Sequence, residues 1–320
     1  MTQKLPSDKM GATQTLSEEV MKKVFKWIGI VLGVLIGLVI IFAGIMYFRG
    51  NSILTKTYQI QPAAIVIPED QEAIERGAYL YAASCAGCHG DDLSGKAILD
   101  DPAIGYLPAP NLTSGQNGIG GHYSDADFIR AIRHGVDAEG QGLLIMPAKA
   151  YWHFSEEDLG AIIAFVNSAP AIDNDPGEKS LSPLGKIMLA AGAFGEAIAA
   201  EFLDHEAPLP VAPERGPTAA YGEYMINTGD CRACHGADLA GGQSPEPGSP
   251  FSSNLTPAGV LAIWTAEDFI ETMRTGVTPY GRQLDGNFMP YEDYGRLTNE
   301  DLTAMLLYLQ SLPAVETPPK

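Results

Sequence analysis

The sequence predicts an all-α protein: one N-terminal membrane-crossing helix followed by two tandem copies of a small helical domain. Three observations predict it. Trp27–Phe48 runs 22 residues without a charge. The pentapeptide Cys85-Ala86-Gly87-Cys88-His89 returns as Cys231-Arg232-Ala233-Cys234-His235. Met146–Pro170 also lies ungapped over Met289–Pro313, with nine of 25 positions identical. The matches include Met-Pro, a Tyr five residues after Met, Glu-Asp-Leu and the final Ser-x-Pro. Asn111-Leu112-Thr113 and Asn254-Leu255-Thr256 each begin 35 residues before their methionine, so the repeat extends upstream. The expected organisation is an N-terminal segment 1–24, a membrane helix 25–48, a connection 49–69, a first domain 70–170, a second connection 171–217, a second domain 218–315 and a tail 316–320.

The apolar run is long enough to span a bilayer as a helix. Lys22, Lys23 and Lys26 precede it, while only Arg49 and Lys56 follow closely. That asymmetry places the N-terminus in the cytoplasm and everything after residue 50 outside. A cleaved signal peptide fits less well, because the run exceeds a usual apolar core and no Ala-x-Ala site follows. Gly29, Gly33 and Gly37 recur every four residues, a small-residue stripe that would let a second helix approach.

Each copy reads as a leading helix (about Asp70–Ser84, and Thr218–Thr228), the Cys-x-x-Cys-His pentapeptide, a long loop holding Asn-Leu-Thr, a short helix (Ser124–His134, Thr265–Arg274), a Met-Pro loop and a closing helix. Ser155 and Thr298 stand at N-cap positions with an acid three residues on, the signature of a capping box. Leu159, Ile162, Ile163 and Val166 repeat at helical spacing, as do Leu302, Met305, Leu306 and Leu309. Pro170 and Pro313 end the closing helices.

The repeated pentapeptide bears the chemistry. In C-x-x-C-H two thiols one helical turn apart reach the two vinyl groups of one porphyrin as thioethers, and the histidine comes under the iron. Cys85, Cys88, Cys231 and Cys234 are the four cysteines of the chain. Two covalently bound haem c groups are therefore expected, with His89 and His235 as proximal ligands. A four-cysteine zinc site or a redox dithiol would not need a histidine after each pair. Met146 and Met289 each precede proline, 57 and 54 residues beyond their histidines, and are the expected sixth ligands. A methionine thioether favours ferrous iron and fills the second axial position, which suits a carrier of single electrons rather than a catalyst. His122, His134, His153 and His205 fit no ligand spacing and read as surface or supporting residues.

The net charge of −19 argues against a nucleic-acid partner. The acidity lies outside the anchor, since the residues after 48 have 36 acids against 15 bases. Leu181–Leu203 is a second apolar stretch, but spanning would bury Lys186, Glu196 and Glu201. It would also return the second haem motif to the cytoplasm. It reads instead as an amphipathic helix packed on a haem domain or a partner.

C-x-x-C-H, then Asn-Leu-Thr, then Met-Pro before a Glu-Asp-Leu helix resembles the class I cytochrome c family over roughly residues 70–170 and 218–315. Within it, Pro110-Asn111-Leu112-Thr113 and Met289-Pro290-Tyr291 with Tyr294 look most like cytochrome c subunits of bacterial membrane-bound dehydrogenases. The resemblance implies an electron carrier with no catalytic residues of its own. Its expected partners are a membrane-bound dehydrogenase, a quinol-oxidising complex or a terminal oxidase. Several such subunits have three haem motifs, whereas this chain has two. The alternative is a peroxidase-like dihaem enzyme with one open haem, against which the two Met-Pro loops argue.

Overall fold

A computed structural model describes residues 8–243 and 248–319, with residues 8–19 as backbone alone. The first seven residues of the expected N-terminal segment and Lys320 of the tail lie outside the described residues.

Helix α1 (Asp8–Leu54) contains the apolar run. It is the one helix among the described residues long and apolar enough to cross a membrane. A Cβ placed on Gly29, Gly33 or Gly37 would meet nothing within 4 Å, so the glycine stripe faces open space in this chain.

The first copy comprises α2 (Gln71–Ser84), α3 (Ala86–His89), β1 (Lys96–Asp101), β2 (Gly105–Ala109), α4 (Asp125–His134), α5 (Ala148–Tyr151) and α6 (Glu156–Ser168). The connection holds β3 (Ser180–Leu181) and α7 (Pro183–Ala190). The second copy comprises α8 (Ala219–Thr228), α9 (Cys231–His235), β4 (Gly242–Gln243), β5 (Phe251–Ser252), α10 (Ala266–Thr275), α11 (Tyr291–Tyr294) and α12 (Asn299–Ser311). The strands are short. β1, β2 and β3 form an antiparallel flap in that order, and β4 pairs with β5.

Within each copy the leading helix crosses the closing helix, α2 on α6 and α8 on α12. Glycine permits the crossing. A Cβ on Gly77 would stand 1.9 Å from Ala161 O, and one on Gly222 would stand 1.9 Å from Ala304 O. The predicted apolar stripes supply the core: Leu159, Ile162, Ile163 and Val166 are buried, as are Leu302, Met305, Leu306 and Leu309.

The two copies share one core cluster, and their contact is reciprocal. Tyr79 and Tyr224, two residues after the crossing glycines, each reach the other copy. Tyr224 Oη donates to Asp158 Oδ2 at 2.7 Å and accepts from Ser155 N at 3.2 Å. Tyr79 Oη donates to Asp301 and accepts from Thr298 N at 2.8 Å. This corrects the expected capping boxes. Ser155 and Thr298 do cap α6 and α12, but Asp158 and Asp301 turn outward to the interface instead of back to the cap. Arg76 binds Asp158 through Nε and Nη2, both at 2.8 Å, and Nη2 also donates to Tyr221 Oη. Full capping boxes form at the starts of α4 and α10, at Ser124–Asp127 and Thr265–Asp268.

Within the 181–203 stretch α7 packs on α1, and a single 3₁₀ turn follows at Ala199–Glu201. The stretch also meets the first copy, where Ser182 N donates to Ile104 O at 3.0 Å and Ile198 and Ala200 pack on Val136. His134 is buried, not at the surface. Its Nδ1 lies 3.0 Å from Nδ1 of His205, which holds the connection onto the first copy.

Candidate haem sites

In the second copy α8 ends at Gly229, and Asp230 takes a left-handed backbone conformation (φ 56°) that starts α9 in a new direction. One turn then presents Cys231 and Cys234, with His235 at its end. His235 Nδ1 lies 2.8 Å from Ser253 O. A carbonyl only accepts, so Nδ1 holds the proton and Nε2 keeps its lone pair free for a metal. Burial lowers the His235 pKa and the Ser253 hydrogen bond partly opposes it, so the ring is neutral, as a ligand must be.

The Asn-Leu-Thr triplet fixes that carbonyl. Asn254 Oδ1 accepts from Thr256 N at 2.8 Å and Thr256 Oγ1 at 2.7 Å, while Nδ2 donates to Val315 O at 2.8 Å. The loop is thereby tied to the chain leaving α12, and Ser253 O is held where His235 needs it. Leu255, between the two polar residues, lines the cavity above the motif. Leu255 thus faces the cavity, whereas Asn254 and Thr256 act as a clasp.

That cavity, about 540 Å³, brings Cys231, Cys234, His235 and Met289 together. Its remaining wall is largely apolar, including Ile226, Phe269, Met305 and Leu309. Trp264 also lines it. Its Nε1 is a buried donor with no partner among the described residues, so the occupant must offer an acceptor. A porphyrin with carboxylate side chains satisfies each of these features: an apolar disc, two thioether anchors, two axial ligands and one acceptor. The residues fit haem c.

The first copy repeats the arrangement. His89 Nδ1 lies 3.0 Å from Pro110 O, the residue before Asn111. Asn111 Oδ1 accepts from Thr113 N and Oγ1, and its Nδ2 donates to Ile172 O at 2.7 Å. Cys85 and Met146 both border the shared core. At the position of Trp264 stands Tyr123, whose hydroxyl accepts from Ala138 N at 3.4 Å.

Four contributors had no role assigned from the sequence. Tyr151 and Tyr294, visible as part of the repeat, donate from their buried hydroxyls to Ser84 O and Gly229 O just ahead of each motif. Burial drives both phenols well above their ordinary range, so they stay protonated donors. Trp264 corresponds to Tyr123, so no identity in the repeat marked it. Asp230 is mostly buried beside Cys231; burial pushes its carboxyl up to about 7 and Lys149 of the first copy pulls back.

The geometry fits a c-type cytochrome with two haem-attachment motifs. The chain contains two tandem cytochrome c domains. Residues 72–166 match the cytochrome c oxidase, cbb3-type, subunit III family and residues 219–313 match the cytochrome c family.

Three relatives illustrate its kinship. The fructose dehydrogenase cytochrome subunit of Gluconobacter japonicus is 26% identical, over 84% of this chain and 58% of the relative. The gluconate 2-dehydrogenase cytochrome c subunit of Pantoea cypripedii is 30% identical, over 75% and 60%. The cytochrome c subunit of alcohol dehydrogenase (quinone) from Gluconacetobacter polyoxogenes is 25% identical, over 77% and 57%. The chain thus spans less than two-thirds of the length of these relatives.

Proposed function

We propose that Cys85 and Cys88 hold one haem and Cys231 and Cys234 the other, with His89/Met146 and His235/Met289 as axial pairs. The two domains, 70–170 and 218–315, sit on the outer side of the cytoplasmic membrane, tethered by Trp27–Phe48. There the protein relays single electrons from a membrane-bound dehydrogenase or quinol-oxidising complex to an acceptor or oxidase. The single observation supporting this best is the cavity that gathers Cys231, Cys234, His235 and Met289.

Haem c supplies a reversible one-electron iron couple. The chain's part is to keep both axial positions occupied and the surroundings rigid. Ser253 O and Pro110 O lock the histidine rings, and the Asn-Leu-Thr clasps lock those carbonyls. Electron exchange then requires little rearrangement of the protein. The relatives are cytochrome subunits of dehydrogenases, which supports a dehydrogenase as the partner. The near-infrared spectrum of the oxidised full chain tests the ligation. A methionine-to-iron band at the intensity of two haems is expected; half that intensity would leave one iron open and favour the enzyme alternative.

A further inference from the structure

Helix α7 has an apolar stripe that the described residues of this chain cover only in part. Leu184, Ile187, Met188 and Ala191 follow the i, i+3, i+4, i+7 spacing of one helical stripe. Leu184 is 49% exposed, Ala191 is exposed, and Ile187 and Met188 are half-buried. The opposite face, Gly185, Leu189 and Ala190, is buried. The one charge of α7, Lys186, is turned away from the stripe. It donates to Asn51 Oδ1 at 2.9 Å and its Nζ sits 5.0 Å from the centre of the Tyr47 ring.

The position of α7 says what covers the stripe. It packs on α1, and a Cβ on Gly50 would come 2.0 Å from Lys186 O. Gly50 lies two residues past the end of the apolar run at Phe48, about 3 Å along the helix. Below it on α1, Ala43, Met46 and Tyr47 are half-buried, in a run otherwise almost wholly exposed. The uncharged stripe therefore stands at the depth where the span leaves the bilayer.

We propose that the Leu184–Ile187–Met188–Ala191 face of α7 lies in the boundary between lipid headgroups and acyl chains, a second membrane contact beside α1. This rests on the reading of α1 as a membrane span. Its consequence is a fixed orientation for the first haem domain, because α1 and α7 are joined to it as one block. Lys56 pairs with Glu201 at 2.8 Å, Tyr58 Oη donates to the same carboxylate, and Thr57 and Ile198 bridge to Gln141 and Leu144. Ile53, Tyr58 and Ile60 pack on Val136, Ile198 and Ala200. The anchor acts as a stem, and the haem domains cannot swing freely about it.

The test uses the full chain with both haems, reconstituted in phosphatidylethanolamine–phosphatidylglycerol vesicles. The four native cysteines are thioether-bonded in that form, so single cysteines introduced by Ile40→Cys, Leu184→Cys, Ala191→Cys and Val211→Cys would be the free thiols. Reaction with a membrane-impermeant maleimide is followed, with detergent-denatured protein as the reference for full labelling. Val211 is 92% exposed in the connection between the domains and should react fastest. Cysteines at 184 and 191 should react at least tenfold more slowly than at 211, approaching the protection of Ile40→Cys. Rates at 184 and 191 equal to that at 211, with position 40 still protected, would overturn the proposal and leave the anchor intact. Fast reaction at position 40 would overturn the anchor and the proposal together. Haem absorbance per chain confirms that each variant assembled.

Discussion

The reciprocal tyrosines make a sharp prediction about how the two haem domains are joined. Tyr224→Phe keeps the ring, which is buried in the shared core, and removes one oxygen. That oxygen donates to Asp158 Oδ2 at 2.7 Å and accepts from Ser155 N at 3.2 Å. A hydrogen bond to a charged group contributes about 1.5–3 kcal/mol, and an orphaned buried amide costs about 1–3 kcal/mol. Asp158 keeps its two-point contact with Arg76, so its own burial stays compensated. The expected loss is then about 2–4 kcal/mol, below the simple sum because the two effects share one relaxed interface. Guanidinium unfolding of the full chain in detergent, followed by Soret circular dichroism, measures it. Tyr58→Phe is the control, since that hydroxyl bonds the half-exposed Glu201 outside the interface and should cost less than about 1 kcal/mol. Tyr79→Phe should resemble Tyr224→Phe, and the double variant should show coupling because both bonds close one interface. A change below about 0.5 kcal/mol for Tyr224→Phe, within ordinary surface scatter, would refute this account of the interface.

Met146→Ala should open the first iron to carbon monoxide, seen as a difference spectrum of one haem per chain; no binding would contradict the ligand assignment. Asn254→Ala removes the clasp behind Ser253 and should destabilise the second domain by about 1–3 kcal/mol in thermal melts monitored in the Soret region, with a change in the His235 environment by resonance Raman. Gly222→Ala places a methyl group 1.9 Å from Ala304 O and should cost about 1–3 kcal/mol or more, read as lowered yield of the dihaem form. His134 gives a pH dependence. Burial foremost, then His205, Arg133 and Arg130, lowers its pKa to about 4. Because the unfolded value is about 6.5, its contribution is complete above pH 6.5 and is lost as pH falls from there toward 4. At pH 5 the loss is about 2 kcal/mol, and His134→Gln should flatten unfolding midpoints over that window.

The elements that sequence reading placed well are those whose signals are local. The lead helices, the N-caps at Ser155 and Thr298 and the prolines after α6 and α12 depend on neighbours a few residues away. The cysteines and histidines were legible because haem attachment demands one spacing. Asp158 and Asp301 misled because a cap signal cannot reveal a competing partner about 70 residues or more distant; Tyr224 and Tyr79 supplied it. Trp264 escaped for the opposite reason. Its Nε1 has no partner among the described residues, so no second residue of the sequence pointed to it. The 181–203 stretch was apolar because it packs both on α1 and on the first copy, two uses that composition cannot separate.

The interface also bears on how electrons move between the two haems. Duplicated domains on a flexible linker would have to search for a productive encounter at each transfer. Here both motifs border the contact between copies. A Cβ on Gly87, between Cys85 and Cys88, would meet Asp293 Oδ2 of the second copy at 2.7 Å. Beside it, Asp91 pairs with Arg296 across the same boundary. On the other side, Asp230 next to Cys231 is acted on by Lys149 of the first copy. The redirected acids Asp158 and Asp301 hold this arrangement closed, so giving up two capping contacts secures a fixed geometry between the motifs. Tyr79→Phe/Tyr224→Phe should therefore slow intramolecular transfer, measured by flash reduction of one haem, while leaving both visible spectra unchanged. An unaltered rate in a demonstrably loosened interface would mean that the relay does not depend on the fixed geometry.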